Sequence, residues 1–581
     1  MKFLRNLLAS ILGFFVALFL ILMLFVFIAT IAGSSKEVIV EANSILNLDL
    51  SLKVKDYAPK EDNPLIEALE IEPSYLGLNA VIAAIENAKS DSRIKGISIN
   101  TSTVNAGIAQ VQAIRNKLKD FKESGKFIYA YNEFYDQKNY YLSSVADSVF
   151  LNPVGFIDFK GLSTEILYYK DFQDKFGVKL EVIRHGKYKS AVEPYLSNEM
   201  SEANKEQTIS FLKSIWSEVI EGISENRSIS EDRLNVIADK VEGRDTKLSL
   251  GNNLIDEVIY KDQYESKLTS IIGGKPAHIT IEDYIKSGKG RIRSSAKNKI
   301  AVIYAQGQIL YGEGNEDVIG QDLINKAIRK ARKDSNVKAI VLRVNSPGGS
   351  ALASELIWRE LDLAKKEKPL VVSMGNVAAS GGYYIACNAT KIIAEPTTIT
   401  GSIGVFGLLP NATKLAGKLG INAEQISTNN SPNYSLFEPM SKKFYEVTKD
   451  GVEKTYDLFV ERVSTGRGMP IEQVDKLAQG RVWTGKEAKE NGLVDELGGL
   501  DKAVKIAAEI AGVEDYRIRN YPNYKKDIKE SLKVFPFARL AKEEILRELL
   551  EEQEIEAYKN IREFKNLKGI QARMPFLYDI K

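Results

Sequence analysis

DSNVKAIVLR, from Asp334 to Arg343, is the stretch that decides the fold, because the chain carries a second version of it, DSRIKGISIN, from Asp91 to Asn100. Two further pairs keep the same offset of 243 positions: Tyr140 with Tyr383, and Gly177 with Gly420. A constant offset over three pairs indicates a duplicated domain. Each copy can therefore serve as a control for the other.

The apolar pattern within each copy predicts its fold class. In the first copy, IKGISI reads as a short buried strand, the stretch from Ile108 to Gly125 reads as an amphipathic helix, and FIYAY reads as the next strand. The second copy repeats this alternation. Strands that alternate with helices predict an α/β fold with a largely parallel sheet, here present twice in tandem.

The two copies differ at positions that bear on chemistry. The aligned pairs are Ser380 with Gln137, the turn Ser346–Gly349 with Thr103–Ala106, and Pro432 with Lys189. The first copy lacks the serine and the SPGG turn, and the second copy lacks the lysine. We therefore expect one site assembled from two halves.

The composition excludes several function classes. The 581 residues carry 79 basic and 77 acidic side chains, so charge gives no reason to expect nucleic acid binding. The one cysteine, Cys387, excludes an internal disulfide and a cysteine-based metal cluster. Cys387 lies in the apolar run YYIACNA and is interpreted as a core residue rather than a reactive thiol. The sequence contains no visible metal or cofactor site.

The run from Leu7 to Ala32 contains 26 residues without a charge. As a helix it would reach about 39 Å, which exceeds the roughly 30 Å thickness of a hydrocarbon core. Lys2 and Arg5 precede it, which predicts a cytoplasmic N-terminus and an external chain after Lys36. The alternative is a cleaved signal peptide, but its apolar region is usually only about 7 to 15 residues. We favour an uncleaved, single-pass membrane anchor.

Changes in composition divide the chain into six predicted parts. These are an anchor (1–36), a strand-containing connector (37–75), a first repeat (76–260), a glycine- and lysine-rich linker (261–297), a second repeat (298–500) and a helical C-terminal extension (501–581). The extension includes a long charged amphipathic helix, Ala541–Phe564. Docking of this helix on its own domain is favoured over an oligomer contact.

Two loops of the second copy suggest a nucleophile and an anion site. Ser380 lies between small residues, and a helix starting at Gly381 or Gly382 would direct backbone N–H groups towards it. The turn Ser346–Gly349 follows a buried strand, so it lies at the carboxyl edge of a parallel sheet, where ligands usually bind. Backbone N–H groups from both loops could hold the oxyanion of a tetrahedral intermediate. Either loop alone could be only a tight turn.

A serine nucleophile needs a base, and the chain offers few histidines. His278 falls in the predicted linker, and His185 has a strongly cationic setting. Lys189 could serve if burial lowers its pKa towards neutrality. The apolar stretch after Lys189 places it at the edge of a packed region, whereas its neighbour Lys187 is expected to be exposed. Both His185 and Lys189 remain candidates from the residues alone.

Four motifs, in order after an N-terminal anchor, carry a resemblance to a known family. They are YKSAVEPY (Tyr188–Tyr195), VNSPGGS (Val344–Ser350), AASGGYY (Ala378–Tyr384) and TGSIGV (Thr400–Val405). The chain resembles, over nearly its whole length, the long, duplicated type of signal peptide peptidase A, also called protease IV. One departure is Asn376, where the family form has an acidic residue.

The resemblance implies an activity, a fold and a set of site residues. It implies the Clp-protease and crotonase type of α/β fold and a serine–lysine dyad. The implied roles are Ser380 as nucleophile, Lys189 as general base, the Gly349 and Gly381 N–H groups as oxyanion hole, and Ser402 as the residue that orients the lysine. It also implies peptide substrates, namely released signal peptides, a homo-tetramer, and a location at the bacterial inner membrane with the catalytic region on the periplasmic side.

Other functions remain open at this point. Crotonase-type enzymes use a similar pair of backbone donors on acyl-CoA thioesters, but the predicted external location argues against a CoA substrate. A membrane-anchored scaffold with a vestigial dyad is a non-enzymatic alternative. General turnover of envelope proteins would use the same chemistry on other substrates. The sequence does not decide whether Ser380 meets Lys189 within one chain or between subunits.

Overall fold

A computed structural model describes residues 2–32, 38–58, 75–430, 433–524 and 570–574. The predicted helix Ala541–Phe564 and the aligned residue Pro432 lie outside the described residues. Helix α1 spans Lys2–Ala32. Over the described residues, no helix meets both the length and the hydropathy that a membrane span requires.

The described residues of the first half form nine strands and nine further α-helices. The strands are β1 (Ser44–Leu48), β2 (Lys53–Lys55), β3 (Tyr75–Gly77), β4 (Ile94–Ile99), β5 (Phe127–Tyr135), β6 (Ser148–Ile157), β7 (Lys179–Arg184), β8 (Glu257–Val258) and β9 (Ala277–Thr280). The helices are α2 (Leu78–Ser90), α3 (Ile108–Lys122), α4 (Gln137–Ser143), α5 (Lys170–Phe176), α6 (Glu202–Arg227), α7 (Glu231–Asp239), α8 (Thr246–Gly251), α9 (Lys261–Ile272) and α10 (Ile281–Tyr284). Two short helices of other types occupy Ser190–Tyr195 and Ile285–Lys289.

The second half repeats this arrangement. Its strands are β10 (Lys299–Gln306), β11 (Gln308–Leu310), β12 (Val318–Gly320), β13 (Val337–Ser346), β14 (Gly348–Ser350), β15 (Leu370–Ala379), β16 (Lys391–Ala394), β17 (Ile399–Gly401), β18 (Phe406–Asn411), β19 (Val482–Thr484), β20 (Glu496–Leu497), β21 (Arg517–Tyr521) and β22 (Gln571–Arg573). Its helices are α11 (Gln321–Lys333), α12 (Ala351–Lys365), α13 (Gly381–Ala386), α14 (Thr413–Lys418), α15 (Lys442–Arg467), α16 (Ile471–Leu477), α17 (Gly485–Glu490) and α18 (Leu500–Ile510).

Each half is built on a largely parallel sheet. The first sheet has the order β8-β6-β5-β4-β1-β9, and the main path of the second is β19-β17-β15-β13-β10-β21. In β13, Ile340 and Leu342 belong to one core cluster, whereas Ala339 and Val341 belong to another. Alternate residues point to opposite faces of a strand, so both faces of this sheet are buried. This confirms the predicted duplicated α/β fold.

The structure differs from the predicted limits of the repeats. Strand β9 lies inside the predicted linker 261–297, and it pairs with β1, which lies inside the predicted connector. Strand β21, inside the predicted C-terminal extension, pairs with β10 in the same way. Each sheet therefore gains one edge strand from the segment that follows its repeat. These strands are short, and their apolar pattern is too weak to distinguish them from a linker.

A third sheet joins the two halves. Its order is β12-β11-β14-β22-β18-β7, and β7 is its contribution from the first half. Six residues of β7 pair antiparallel with six residues of β18. Because β7 leads directly towards Lys189, this crossing delivers a residue of the first half to the second.

Candidate active site

Ser380 stands at a sharp turn between β15 and α13. Its backbone has φ 55° and ψ −117°, a conformation that an L-residue rarely adopts. Such a position costs on the order of 1–3 kcal/mol and persists only where the surroundings enforce it. Here the Ser380 N–H donates to the Gly401 carbonyl at 2.8 Å. The Ser380 side chain makes no capping hydrogen bond to α13, so the hydroxyl is directed elsewhere.

Lys189 is held by backbone contacts with the second half. After β7, the Tyr188 N–H donates to the Gln479 carbonyl at 2.8 Å. Gly480 has φ 80°, and a Cβ added there would lie 2.7 Å from the Lys189 Cα. Only glycine fits this close approach, so Gly480 fixes the path of the lysine backbone.

The Lys189 Nζ lies at the centre of the site. It is 3.0 Å from Ser380 Oγ, 3.0 Å from Ser402 Oγ and 3.1 Å from the Ser402 carbonyl oxygen. Lys189 and both serines are fully buried. Over the described part of the chain, no carboxylate forms an ion pair with Lys189, and its burial lowers its pKa well below the usual value. The two halves thus meet within one chain at a lysine poised to be neutral.

Ser402 occupies a second strained turn. Its φ is 50°, and its N–H donates to the Arg481 carbonyl at 2.7 Å. Thr400, the other hydroxyl of this motif, donates to the Ala378 carbonyl at 2.7 Å instead of contacting the lysine. The structure therefore brings Ser402, rather than Thr400, into contact with Lys189.

The two predicted oxyanion donors lie on elements that contact each other. Gly349 belongs to β14, and Gly381 is the first residue of α13. A Cβ added at the intervening Gly348 would lie 2.7 Å from the Gly381 nitrogen, so β14 and the start of α13 are in direct contact. Two N–H groups from separate elements can converge on one oxygen in such an arrangement.

The histidines lie in other environments. The His185 Nδ1 is 2.5 Å from Glu453 Oε2, and its ring stacks on Tyr456. His278 lies on β9, with Nε2 3.3 Å from Glu265. Among the described residues neither histidine forms a hydrogen bond with Ser380, so the geometry favours Lys189 as its partner. Lys187 is exposed, which confirms the contrast predicted between it and Lys189.

Sequence reasoning missed two glycines of the site. Gly404 lies against the Lys189 side chain, since a Cβ there would be 3.2 Å from Cδ, and its carbonyl oxygen is 3.4 Å from Ser380 Oγ. The sequence could have indicated Gly404 as a site residue, because it belongs to the TGSIGV motif. For Gly480, the sequence gives no indication of a role in the site except that the residue is a glycine. Over the described residues, no group of three or more His, Cys, Asp or Glu could hold a metal ion.

Comparison with known proteins gives one consistent result. The model of peptidase family S49 matches residues 120–271 and 362–514, and that of Clp protease matches residues 291–399. Protease 4 of Haemophilus influenzae is 40% identical over 452 residues, which cover 75% of this chain and 74% of that protein. Protease 4 of Salmonella typhi is 38% identical over 455 residues, 76% and 73% of the two chains. The chloroplastic serine protease SPPA of Arabidopsis thaliana is 33% identical over 487 residues, 82% and 70%.

Proposed function

We propose that this chain, which belongs to peptidase family S49 and is a serine protease, is a membrane-anchored endopeptidase that degrades released signal peptides. In this proposal Ser380 is the nucleophile and Lys189 is the general base. The observation that carries it is the 3.0 Å contact between Lys189 Nζ and Ser380 Oγ in a fully buried setting. A lysine can act as a base only when it is neutral, and its lowered pKa supplies that condition.

The contacts of Lys189 suggest how its lone pair is aimed. A neutral amine has two N–H donors and one lone pair. In our proposal the two donors are engaged by the carbonyl and the hydroxyl of Ser402, at 3.1 and 3.0 Å. The lone pair then faces the hydroxyl proton of Ser380. Ser402 is thus proposed as the residue that orients the lysine.

The proposed reaction is acyl transfer. Lys189 takes the Ser380 proton, and Ser380 Oγ attacks the peptide carbonyl. The negative charge that develops on the carbonyl oxygen is stabilised by the N–H groups of Gly349 and Gly381. The protonated Lys189 then gives its proton to the leaving amine, and water hydrolyses the acyl-enzyme with Lys189 again as base.

The proposed membrane anchor is the charge-free run Leu7–Ala32, with Lys2 and Arg5 on its cytoplasmic side. This orientation places the catalytic region on the periplasmic side of the inner membrane, where signal peptides are released. We expect the full-length chain to remain in the membrane fraction after alkaline carbonate washing. Release into the soluble fraction would contradict the anchor.

Two unpaired segments support the proposed homo-oligomer. Residues 422–427 are the counterpart of β7, and residues 163–168 are the counterpart of β18. Within the described residues neither segment pairs with a strand. Ile183 in β7 is 3% exposed, whereas its counterpart Ile426 is 94% exposed. The position that is buried in the paired strand is therefore uncovered in its unpaired counterpart, as a contact with a second copy would require.

We propose that segment 422–427 of one copy pairs with segment 163–168 of the next, as β7 pairs with β18 within the chain. A repeated head-to-tail contact closes into a ring when the rotation between copies divides a full turn, and we propose a ring of four copies. Ile426→Lys would disrupt this pairing, so light scattering should report a lower mass for that variant. An unchanged mass would contradict the contact.

Fluorophosphonate labelling of the full-length protein in detergent tests the dyad. We expect labelling in the parent and none in Ser380→Ala or Lys189→Ala, because both halves of the dyad are needed. Lys187→Ala, two residues from Lys189 but exposed, is the matched control and should label like the parent. A folded parent that resists labelling and cleaves no added peptide would leave the dyad without a catalytic role.

A further inference from the structure

A buried glutamine on helix α6 lies beside the loop that carries Lys189. Gln207 is fully buried. Its Nε2 donates to the Tyr188 carbonyl at 3.2 Å and to Ser190 Oγ at 2.9 Å. Because Tyr188 and Ser190 flank Lys189, this one side chain holds the backbone of the proposed base from both sides.

The other end of the same amide contacts strand β19. The Gln207 Oε1 accepts from the N–H of Val482, the first residue of β19, at 3.3 Å. The preceding residue, Arg481, accepts the Ser402 N–H through its carbonyl at 2.7 Å. One amide therefore connects the backbone that carries Lys189 to the backbone that holds Ser402, and these two residues are in contact at Nζ.

The amide fits this place in one orientation only. A carbonyl oxygen can only accept a hydrogen bond, and a backbone N–H can only donate one. The Tyr188 carbonyl therefore requires the nitrogen of the Gln207 amide, and the Val482 N–H requires its oxygen. Asn204, one turn earlier in α6, accepts from the same Nε2 at 3.0 Å, which supports this orientation. An asparagine would be one methylene shorter, and an ionised glutamate or a methionine lacks the donor.

The aligned helix of the second copy has a different residue at this position. Helices α6 and α15 both contain 26 residues, and both begin after a serine cap, Ser201 and Ser441. The counterpart of Gln207 is therefore Val447, which is 57% exposed. The glutamine occurs in the copy that supplies the lysine, whereas the copy without the lysine has the valine. This difference is expected if Gln207 serves the lysine, since the helix forms equally well with either residue.

We propose that Gln207 is a positioning residue of this peptidase, which fixes the backbone of Lys189 relative to that of Ser402. The inference rests on the proposed function, in which Ser402 engages the N–H donors of the neutral amine. A shift between the two backbones would turn the lone pair of the amine away from the Ser380 hydroxyl. Gln207 makes and breaks no bond in the reaction and acts only through these two backbones.

Gln207→Met tests the amide in the full-length protein in detergent. Methionine has nearly the same volume as glutamine but has no hydrogen-bond donor. We expect kcat for an added peptide to fall by at least about ten-fold, because a small misplacement of a catalytic group costs much of the rate, whereas KM stays within about two-fold. Fluorophosphonate labelling of Ser380, which does not depend on peptide binding, should slow by a similar factor.

Ser214→Ala is the matched control. Ser214 also joins α6 to β19, through a 2.8 Å contact of its Oγ with Thr484 Oγ1, but that contact lies two residues beyond Val482 on the strand. We expect a lower melting temperature and a kcat within about two-fold of the parent. A parent-like kcat in Gln207→Met, or equal falls in both variants, would overturn the inference and leave the proposed function standing. A folded parent that neither labels nor cleaves peptide would overturn both.

Gln207→Glu gives a second readout, which a purely structural role would not change. Glutamate has the same length and keeps the acceptor for Val482, but it adds a negative charge near Lys189. Such a charge favours the protonated amine, so the rise of kcat/KM with pH should move to higher pH. Val447→Glu places the same charge at the aligned, exposed position and should leave the rise unchanged. An unchanged rise in Gln207→Glu, or an equal shift in both folded variants, would contradict the role of Gln207.

Discussion

The two copies of the domain form the same strand-to-helix turn, but the side chain at the turn has a different role in each. In the second copy, Ser380 stands at the turn with φ 55° and leaves its hydroxyl to Lys189. In the first copy, Asp136 stands one position earlier with φ −71°, and its carboxylate accepts from the Asn139 N–H at 2.8 Å. The first copy therefore uses its side chain to cap the helix, whereas the second leaves the side chain free.

Gln137, the residue aligned with Ser380, likewise has a structural side chain. Gln137 Oε1 accepts from the Lys160 N–H at 3.1 Å and the Gly161 N–H at 2.9 Å, so its side chain ties the start of α4 to the loop after β6. A helix cap contributes about 1 kcal/mol, and a strained positive φ costs about 1–3 kcal/mol. The comparison indicates that the proposed nucleophile is kept at the expense of local stability, whereas the aligned turn of the first copy has a structural role.

The most direct test of this comparison is to remove each of the two aligned side chains, Ser380 and Gln137. Ser380→Ala should lower peptide hydrolysis by at least about a thousand-fold, because it removes the hydroxyl that is proposed to form the acyl-enzyme. Gln137→Ala should leave hydrolysis close to that of the parent and lower only the melting temperature. Peptide hydrolysis and thermal unfolding measure the two effects. A loss of activity in Gln137→Ala comparable to that in Ser380→Ala would show that the Gln137 loop takes part in catalysis.

Gly480→Ala tests how finely the lysine must be placed. The added Cβ would meet the Lys189 backbone at 2.7 Å, and a shift of about 1 Å in a catalytic group costs about a hundred-fold in rate. Gly420→Ala is the control, since Gly420 also has a positive φ, of 72°, but a Cβ there meets nothing within 4 Å. We expect a large fall in kcat for Gly480→Ala alone. Equal falls in both variants would point to backbone strain instead.

The pH dependence of kcat/KM identifies the base. Because burial lowers the pKa of Lys189 and the active form is neutral, activity should rise with pH and level off well below pH 10.5, the ordinary lysine value. His185→Ala should keep this profile. A profile that disappears in His185→Ala would assign the base to the histidine.

Lys189→Met should stabilise the fold while it abolishes activity. The unfolded chain binds a proton at Lys189 up to about pH 10.5, whereas the folded chain resists it, so the parent loses stability as pH falls below that value. The variant lacks this penalty and should be more stable than the parent at pH 7, with a smaller gain near pH 10.5. Chemical denaturation at the two pH values measures the difference. A gain that does not shrink at high pH would argue against a lysine held neutral.

The smallest effect is expected at the capped helix of the first copy. Asp136→Ala removes the acceptor for the Asn139 N–H and should cost about 1 kcal/mol of stability without changing peptide hydrolysis. Denaturation midpoints and initial rates on the same preparations measure both. No loss of stability would mean that the first copy gains nothing from the cap.

Much of the fold and half of the site could be predicted from the sequence. The constant offset revealed the duplication, the apolar pattern gave the α/β class, and the comparison of aligned loops identified Ser380 and the turn Ser346–Gly349. The edge strands β9 and β21 were missed because backbone pairing depends little on side-chain identity. Short strands at a sheet edge leave a weak apolar pattern.

The sequence by itself determined the parts of this protein: two α/β copies, a serine loop among small residues in one and a lysine loop in the other. Only the tertiary structure decided how they meet. The antiparallel pairing of β7 with β18 carries Lys189 across to Ser380, and the register of β22 sets Ala572 against Gly349. Both depend on backbone hydrogen bonds between segments far apart in the chain, which no local pattern records. The burial that lowers the pKa of Lys189 likewise exists only once both halves have packed around it.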